Sequence, residues 1–205
     1  MRTSKSKILE FFGTTDLGLV DILKEIDLSD WFGKVEKDRS KYFEDLCRTI
    51  VGQQLAGKAA EAIYKRFSAL FGDKVTPESI VAKDEQSIRD CGLSWTKVRS
   101  VKDLSERVCD GRLVLDELET LGDEELILEL CKVKGIGRWT AEMFLMFRLG
   151  HEDIFSFGDL GLKNGLKKFL QKSDINVEEM KLITDKWKPY RTYGAIAMWH
   201  LLDNR

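Results

Sequence analysis

With 205 residues, 43% of them hydrophobic, the chain can bury one sizeable core or two small lobes, which excludes a disordered segment. No apolar run reaches the ~18 residues of a membrane span and the charged start has no signal-peptide core, so a soluble intracellular protein is expected. Charges nearly cancel, 33 Lys and Arg against 35 Asp and Glu, for a net charge of −2. That excludes wrapping a long duplex through bulk charge but allows a small footprint with locally organised cations.

Nearly every segment has helical periodicity, and the only prolines are Pro77 and Pro189. Asp16 is placed to cap a first helix through Lys24, with Leu19, Ile22, Leu23 and Ile26 as its apolar stripe. Helices follow at 42–50 and 56–71, the latter with Ala59, Ile63, Phe67 and Leu70 on one face and Gly72 at its end. Thr76 before Pro77 is a helix start, since proline loses nothing where its missing N–H would be unpaired. Two short helices fill 77–91. A longer one runs from Ser94 toward Val108 on Val98, Val101, Leu104 and Val108, ended by Gly111.

Further along, Asp123 is placed to cap a helix with Leu126, Leu130 and Val133 inward, and a partner covers 138–149 before Gly150. Segments 159–170, 176–187 and 190–202 complete an all-α reading. The apolar 113–115 stretch is too short for a strand that matters, and no repeat or long linker divides the chain. Trp31, Trp95 and Trp187 read as core or lobe-packing residues. Cys47, Cys91, Cys109 and Cys131 lack C-x-x-C spacing, and His151 and His200 share no ligand motif, so the spacing supports no zinc or iron–sulfur centre; most of the cysteines are expected to be buried thiols.

Chemistry concentrates in two places. Leu130-Cys131-Lys132-Val133-Lys134-Gly135-Ile136-Gly137-Arg138-Trp139-Thr140-Ala141-Glu142 reads as a helix, a tight Gly-x-Gly hairpin and a second helix. Two glycines one residue apart let the chain turn and bring amides close to a ligand, and the next helix points unpaired N–H groups at a phosphate. Lys132, Lys134 and Arg138 have no acid between them, as do Lys163, Lys167, Lys168 and Lys172. Lys134 and Arg138 add Coulomb attraction in this reading. The carbonyls of Cys131, Val133 and Ile136 are placed to hold a monovalent cation bridging to phosphate. Such a grip sets position and encodes no bases. An ordinary helix–helix turn is the plain alternative; no Gly-Lys-Ser/Thr follows and no strand precedes, which argues against a nucleotide P-loop. The second place is Asp159 in Phe157-Gly158-Asp159-Leu160-Gly161, a candidate catalytic carboxylate whose alternative is a cap for the helix starting at Leu160.

Together these segments resemble the helix-hairpin-helix DNA glycosylases, specifically the 3-methyladenine DNA glycosylase II family. Residues 133–142 look like its hairpin signature, 153–162 like its catalytic loop, and 50–60, with Gln53, Gln54 and Leu55, like its glutamine-rich wedge. Trp187-Lys188-Pro189-Tyr190-Arg191-Thr192-Tyr193 and Trp199 look like its final helix, and the matches run in family order over residues 40–202. The resemblance implies one glycosylase unit over 1–205, with lobes of about 36–135 and of 1–35 plus 136–205 flanking a substrate cleft. It implies excision of alkylated purines such as 3-methyladenine and 7-methylguanine from duplex DNA, with Asp159 catalytic. The N-terminal β-domain of some relatives is expected to be missing.

In this reading Gln54 is the preferred plug for the space left by the extruded base. Gln53 and Leu55 are neighbouring candidates, Leu55 with a core alternative. Trp199, Trp139 and Met143 line the base pocket; some relatives carry tyrosine where Met143 stands. Ser156 replaces a usual proline and is expected to loosen the approach to Asp159. Related bifunctional enzymes place a nucleophilic lysine where Trp139 stands, and an indole cannot form a Schiff base, so a monofunctional enzyme is expected. No cofactor is needed for the chemistry. The expected partner is double-stranded DNA with damaged bases, bound by a monomer without a membrane, in the cytoplasm or in a eukaryotic nucleus. A non-catalytic module recognising DNA damage or junction shape is the competing reading, and an enzyme for oxidised bases or mismatches a further one.

Overall fold

Residues 3–29 and 39–203 are described by the computed structural model, and every regular element among them is helical. The chain divides into Met1–Glu36 with Leu145–Arg205, and Lys37–Phe144. The second division falls after Phe144 rather than near 135, because helix Arg138–Phe144 packs on Asp123–Cys131 and Tyr42–Gly52. Trp31 lies outside the described residues.

The first helix, α1 (Lys5–Thr15), is one the periodicity did not reveal: only Ile8 and Phe12, one turn apart, are buried on it. It packs on α2 (Leu17–Glu25), whose Leu19 and Leu23 are buried. Asp16 stands at the N-cap of α2 as expected, but its side chain makes no capping hydrogen bond there. Its Oδ2 instead accepts the Trp187 indole N–H at 2.8 Å and pairs with Lys186 at 2.9 Å. A buried indole and a cation outcompete a local backbone amide for this carboxylate.

Within 37–144, α3 (Tyr42–Gly52) buries Tyr42, Phe43, Leu46, Cys47, Ile50 and Val51. On α4 (Gly57–Ala69) the inward face is Tyr64 and Phe67, while Ala59 is exposed, so the helix is turned from the expected face. The two aromatics, with more area to bury than the alanines, set that rotation. Thr76 starts α5 (Pro77–Ala82) by accepting the Ser79 amide, and Ser79 reciprocates on the Thr76 amide. Asp84 caps α6 (Glu85–Asp90), and Ser94 caps α7 (Trp95–Cys109), which buries Val98, Val101 and Leu104. Helix α7 packs on α3, α5 and α6.

Trp95 is 39% exposed beneath the Arg89 guanidinium, a surface cation–π pair rather than core. A 3₁₀ segment, Leu115–Thr120, follows the weak apolar stretch. Gly122, not Asp123, is the N-cap residue of α8 (Asp123–Cys131), and Glu125 reaches back to its amide at 3.2 Å. Asp123 lies in the first turn, where the helix dipole favours it. Helix α9 (Arg138–Phe144) closes this unit.

The other unit resumes with a π-helical turn, Leu145–Leu149, ended by Gly150 at φ 76°. It continues through α10 (Leu160–Leu170), α11 (Val177–Asp185, with Asn176 and Glu179 sharing a capping box) and α12 (Arg191–Asp203). Trp187 is fully buried, as expected. Of the cysteines, Cys47 and Cys91 are buried but Cys109 is exposed and Cys131 intermediate, so only half fit the expectation of buried thiols.

Two glycines set the closest packing of this unit. A Cβ on Gly165 would lie 2.5 Å from the Met198 carbonyl oxygen, so α10 and α12 meet backbone to backbone. On Gly194 it would lie 2.3 Å from the Trp187 ring. Gly194→Ala is therefore expected to cost about 1–3 kcal/mol and to lower Tm by roughly 2–10 °C, read by thermal unfolding. An unchanged Tm would mean that the Trp187 ring has room to move.

Candidate active site

The hairpin lies between α8 and α9, and its glycines have different reasons to be there. Gly135 has φ 82°, and a Cβ on it would stand 2.2 Å from the Ser100 hydroxyl on α7. That position is fixed by the fold. Gly137 does not have a positive φ, and a Cβ there would meet nothing within 4 Å. Its lack of a side chain leaves the outer surface of the turn bare for close approach. The Ile136 amide donates to Val133 at 3.1 Å and the Ala141 amide to Gly137 at 3.0 Å, closing the turn and opening α9.

The cations of the hairpin are not the isolated run they look in sequence. Lys132 pairs with Glu129, and Lys134 lies 3.6 Å from Asp103. Arg138 makes a two-pronged contact with Glu124 at 2.6 and 2.7 Å and a further bond to buried Glu142 at 2.9 Å. The hydrogen bond to Glu124 is the main cause that holds the Arg138 guanidinium above its usual pKa. Acids from neighbouring helices thus offset the expected charge, and Arg138 braces the start of α9. The second run is paired likewise, Lys163 with Asp174 and Lys172 with Glu179, each at 3.1 Å.

Cys131 ends α8, where carbonyls lack intrahelical partners, and Val133 and Ile136 turn their side chains into the core. The three main-chain oxygens of Cys131, Val133 and Ile136 are neutral hard donors that suit an alkali or similar cation. Burial pushes the Cys131 thiol up, which does not favour a thiolate ligand.

The segment 53–55, expected to act as a wedge, follows α3. Gln53 does not face outward: its side-chain amide donates to the Gly135 carbonyl at 2.9 Å and to the Thr140 hydroxyl at 3.2 Å. Gln54 is exposed in a left-handed conformation, φ 57°, rare for a non-glycine residue. Leu55 is 37% exposed, so its core alternative is not the one adopted.

In the other unit, Asp159 ends a loop tied to α12. Arg191 makes a two-pronged contact with Asp153 at 2.7 and 3.0 Å, and the Thr192 hydroxyl accepts the Ile154 amide at 3.0 Å. Ser156 is fully buried, so the loosening expected from it is countered by these ties. Asp159 is the N-cap of α10, with Oδ1 accepting the Leu162 amide at 2.8 Å and the Trp199 indole N–H at 3.2 Å. The cap reading is thus realised, and it orients a carboxylate that remains partly exposed. Gly161 makes this possible, since a Cβ there would lie 2.9 Å from Asp159 Oδ1 and 3.0 Å from the Trp199 ring.

Trp199 also lies against Phe147, ring centroids 6.1 Å apart. Phe147 sits on the π turn, a helix distortion common at functional sites, and no sequence signal pointed to it. Trp139, 49% exposed, and half-buried Met143 belong to α9 in the unit 37–144, whereas Trp199 belongs to the Asp159 unit.

Comparison with known proteins places the chain in a family. Residues 47–189 match the model of the HhH-GPD superfamily of base excision DNA repair proteins. The chain is 36% identical to DNA-3-methyladenine glycosylase 1 of Schizosaccharomyces pombe over 79% of this chain and 73% of that protein. A putative DNA-3-methyladenine glycosylase of Bacillus subtilis is 32% identical over 77% of this chain, which spans 58% of it. Among solved structures, the Bacillus halodurans DNA-3-methyladenine glycosidase superposes with a TM-score of 0.80 at 31% identity, over 97% of this chain and 91% of that one. The S. pombe 3-methyladenine DNA glycosylase in complex with abasic DNA gives 0.73 at 32%, over 94% and 95%. With the matched segment spanning both the hairpin and Asp159, the chain belongs to the HhH-GPD superfamily and, within it, to the 3-methyladenine DNA glycosylase II family.

Proposed function

We propose that this protein is a monofunctional DNA glycosylase that hydrolyses the N-glycosidic bond of alkylated purines, such as 3-methyladenine and 7-methylguanine, in duplex DNA. The observation that carries this reading is the Asp159 carboxylate, partly exposed and fixed through Oδ1 by the Leu162 amide and the Trp199 indole. An alkylated purine bears positive charge, so its bond to the sugar is already weakened and the base departs without a strong general acid. The sugar left behind has oxocarbenium character, which an adjacent carboxylate stabilises. Asp159 also orients or deprotonates the attacking water.

The hairpin supplies phosphate contacts through main-chain amides around Gly135 and Gly137, with Lys134 and Arg138 beside them. A monovalent cation on the carbonyls of Cys131, Val133 and Ile136 would add a bridge to a phosphate oxygen. Extruding the base costs a few kcal/mol, less for a damaged one, and Gln54 with Leu55 fills the gap. Trp199 beside Asp159 offers a cationic base an aromatic face worth about 0.5–2 kcal/mol. The protein acts as a monomer on DNA, without a membrane, in the cytoplasm or a eukaryotic nucleus; no helix of the described residues is long and apolar enough to cross a membrane.

Asparagine caps a helix about as well as aspartate, so Asp159→Asn removes the charge and keeps the fold. Release of free base from methylated duplex is expected to fall by about 10²-fold or more with DNA binding retained; equal release would remove Asp159 from the chemistry. Borohydride added during turnover is expected to trap no protein–DNA adduct, because Trp139 cannot form an imine; an adduct would refute the monofunctional mechanism. Gly137→Ala is expected to leave Tm unchanged while weakening duplex binding about tenfold in a titration, since a methyl group there meets phosphate rather than protein. Unchanged affinity would place the DNA backbone elsewhere.

A further inference from the structure

Helix α7 makes hydrogen bonds to both DNA-facing segments of its unit. Lys97, Ser100, Asp103 and Arg107 follow one another at spacings of three and four residues, so they share a helix face. The Lys97 ammonium donates to the carbonyls of Val51 at 2.8 Å and Gln53 at 2.7 Å. These are at the C-terminal end of α3, where carbonyls lack intrahelical partners and a cation is favoured. The next residue is Gln54, whose left-handed backbone needs such support. Two turns further on, Asp103 is 6% exposed, and its Oδ2 accepts the Lys134 amide of the hairpin at 2.9 Å and the Arg107 guanidinium at 2.8 Å. Ser100, between them, is the side chain that Gly135 closes upon. Gln53 completes the circuit by donating to the Gly135 carbonyl.

We propose that Lys97 and Asp103 are positioning residues with separate tasks: Lys97 holds the wedge in the shape that enters the duplex, and Asp103 holds the hairpin in the shape that grips phosphate. Neither touches DNA. The Lys97 ammonium is engaged by two protein carbonyls. Asp103 puts a negative charge behind a phosphate-binding loop, which direct recognition would disfavour. Its place is explained by the backbone amide it orients. The inference rests on reading 53–55 as the wedge and 133–138 as the grip.

The test uses the full chain with Lys97→Met, which keeps the stem, and Asp103→Asn, which keeps the shape. Affinity for undamaged duplex reads the grip. The fluorescence rise of a 2-aminopurine beside an alkylated purine reads base extrusion, and single-turnover release at saturating protein reads the combined outcome. Lys97→Met is expected to leave undamaged-duplex affinity unchanged while extrusion and release fall by about tenfold, the worth of a charge-assisted hydrogen bond. Lys97→Arg should restore both. Asp103→Asn is expected to weaken duplex affinity by about tenfold while extrusion and release at saturation stay near wild type.

Parallel loss of all three readouts in both variants, following a fall in Tm, would reduce the two residues to ordinary stabilisers and overturn the proposal. So would weaker binding of undamaged duplex by Lys97→Met with a shallower salt dependence, which would make Lys97 a phosphate contact. If the wild type released no base at all, the catalytic reading would fail, while affinity and aminopurine fluorescence would still decide between these roles.

Discussion

One oxygen of Asp159 receives two donors, the Leu162 amide from its own helix and the Trp199 indole from α12. Several features of this unit are arranged around that contact. Gly161 leaves the room it needs, the Arg191–Asp153 pair and Thr192 tether the approaching loop, and Phe147 lies against the other side of the indole. The start of a helix is also where negative charge is favoured by the aligned peptide dipoles. Helix initiation and the orientation of this carboxylate are therefore one interaction, and the cap reading of Asp159 does not compete with the catalytic role we propose for it.

The unit 37–144 solves a different problem. A loop and a hairpin must both present their backbones outward without losing their shapes. Here the answer is polar side chains bonded behind them: half-buried Lys97 behind residues 53–55, buried Asp103 and Ser100 behind the hairpin, and buried Glu142 behind Arg138. A buried polar group is tolerated when its partners are in place, and each of these has them. Pairing Arg138 with Glu124 and Glu142 offsets its charge, while Lys134 and the bare surface of Gly137 remain outward on the turn.

Much of this was legible in the sequence. The helices from Tyr42 onward follow from apolar spacing and turn residues, and the hairpin stands out through its Gly-x-Gly pair; Asp159, one of three aspartates that follow a glycine, is singled out by the family resemblance rather than by its local sequence. What escaped has physical causes. Helix α1 buries only Ile8 and Phe12, too little for a periodic signal. Asp16 was read as a cap because aspartates before helices usually are, but Trp187, far along the chain, claims it. The lysine and arginine runs looked unopposed because their acids, Glu124, Asp103 and Asp174, arrive from other elements. Lys97 and Asp103 were invisible for the same reason. On a charged amphipathic helix, nothing in one dimension separates a side chain facing water from one that holds a neighbouring backbone.

The dual duty of Asp159 also bears on how such a protein can evolve. Aspartate and asparagine codons differ by a single transition, and both residues start helices well. A lineage that made this exchange would keep the helix cap and a folded chain, so purifying selection acting on stability alone would not notice it. If Asp159 has the role we propose, sequence divergence could thus leave well-ordered descendants without the activity, told from working members by the identity of this one side chain.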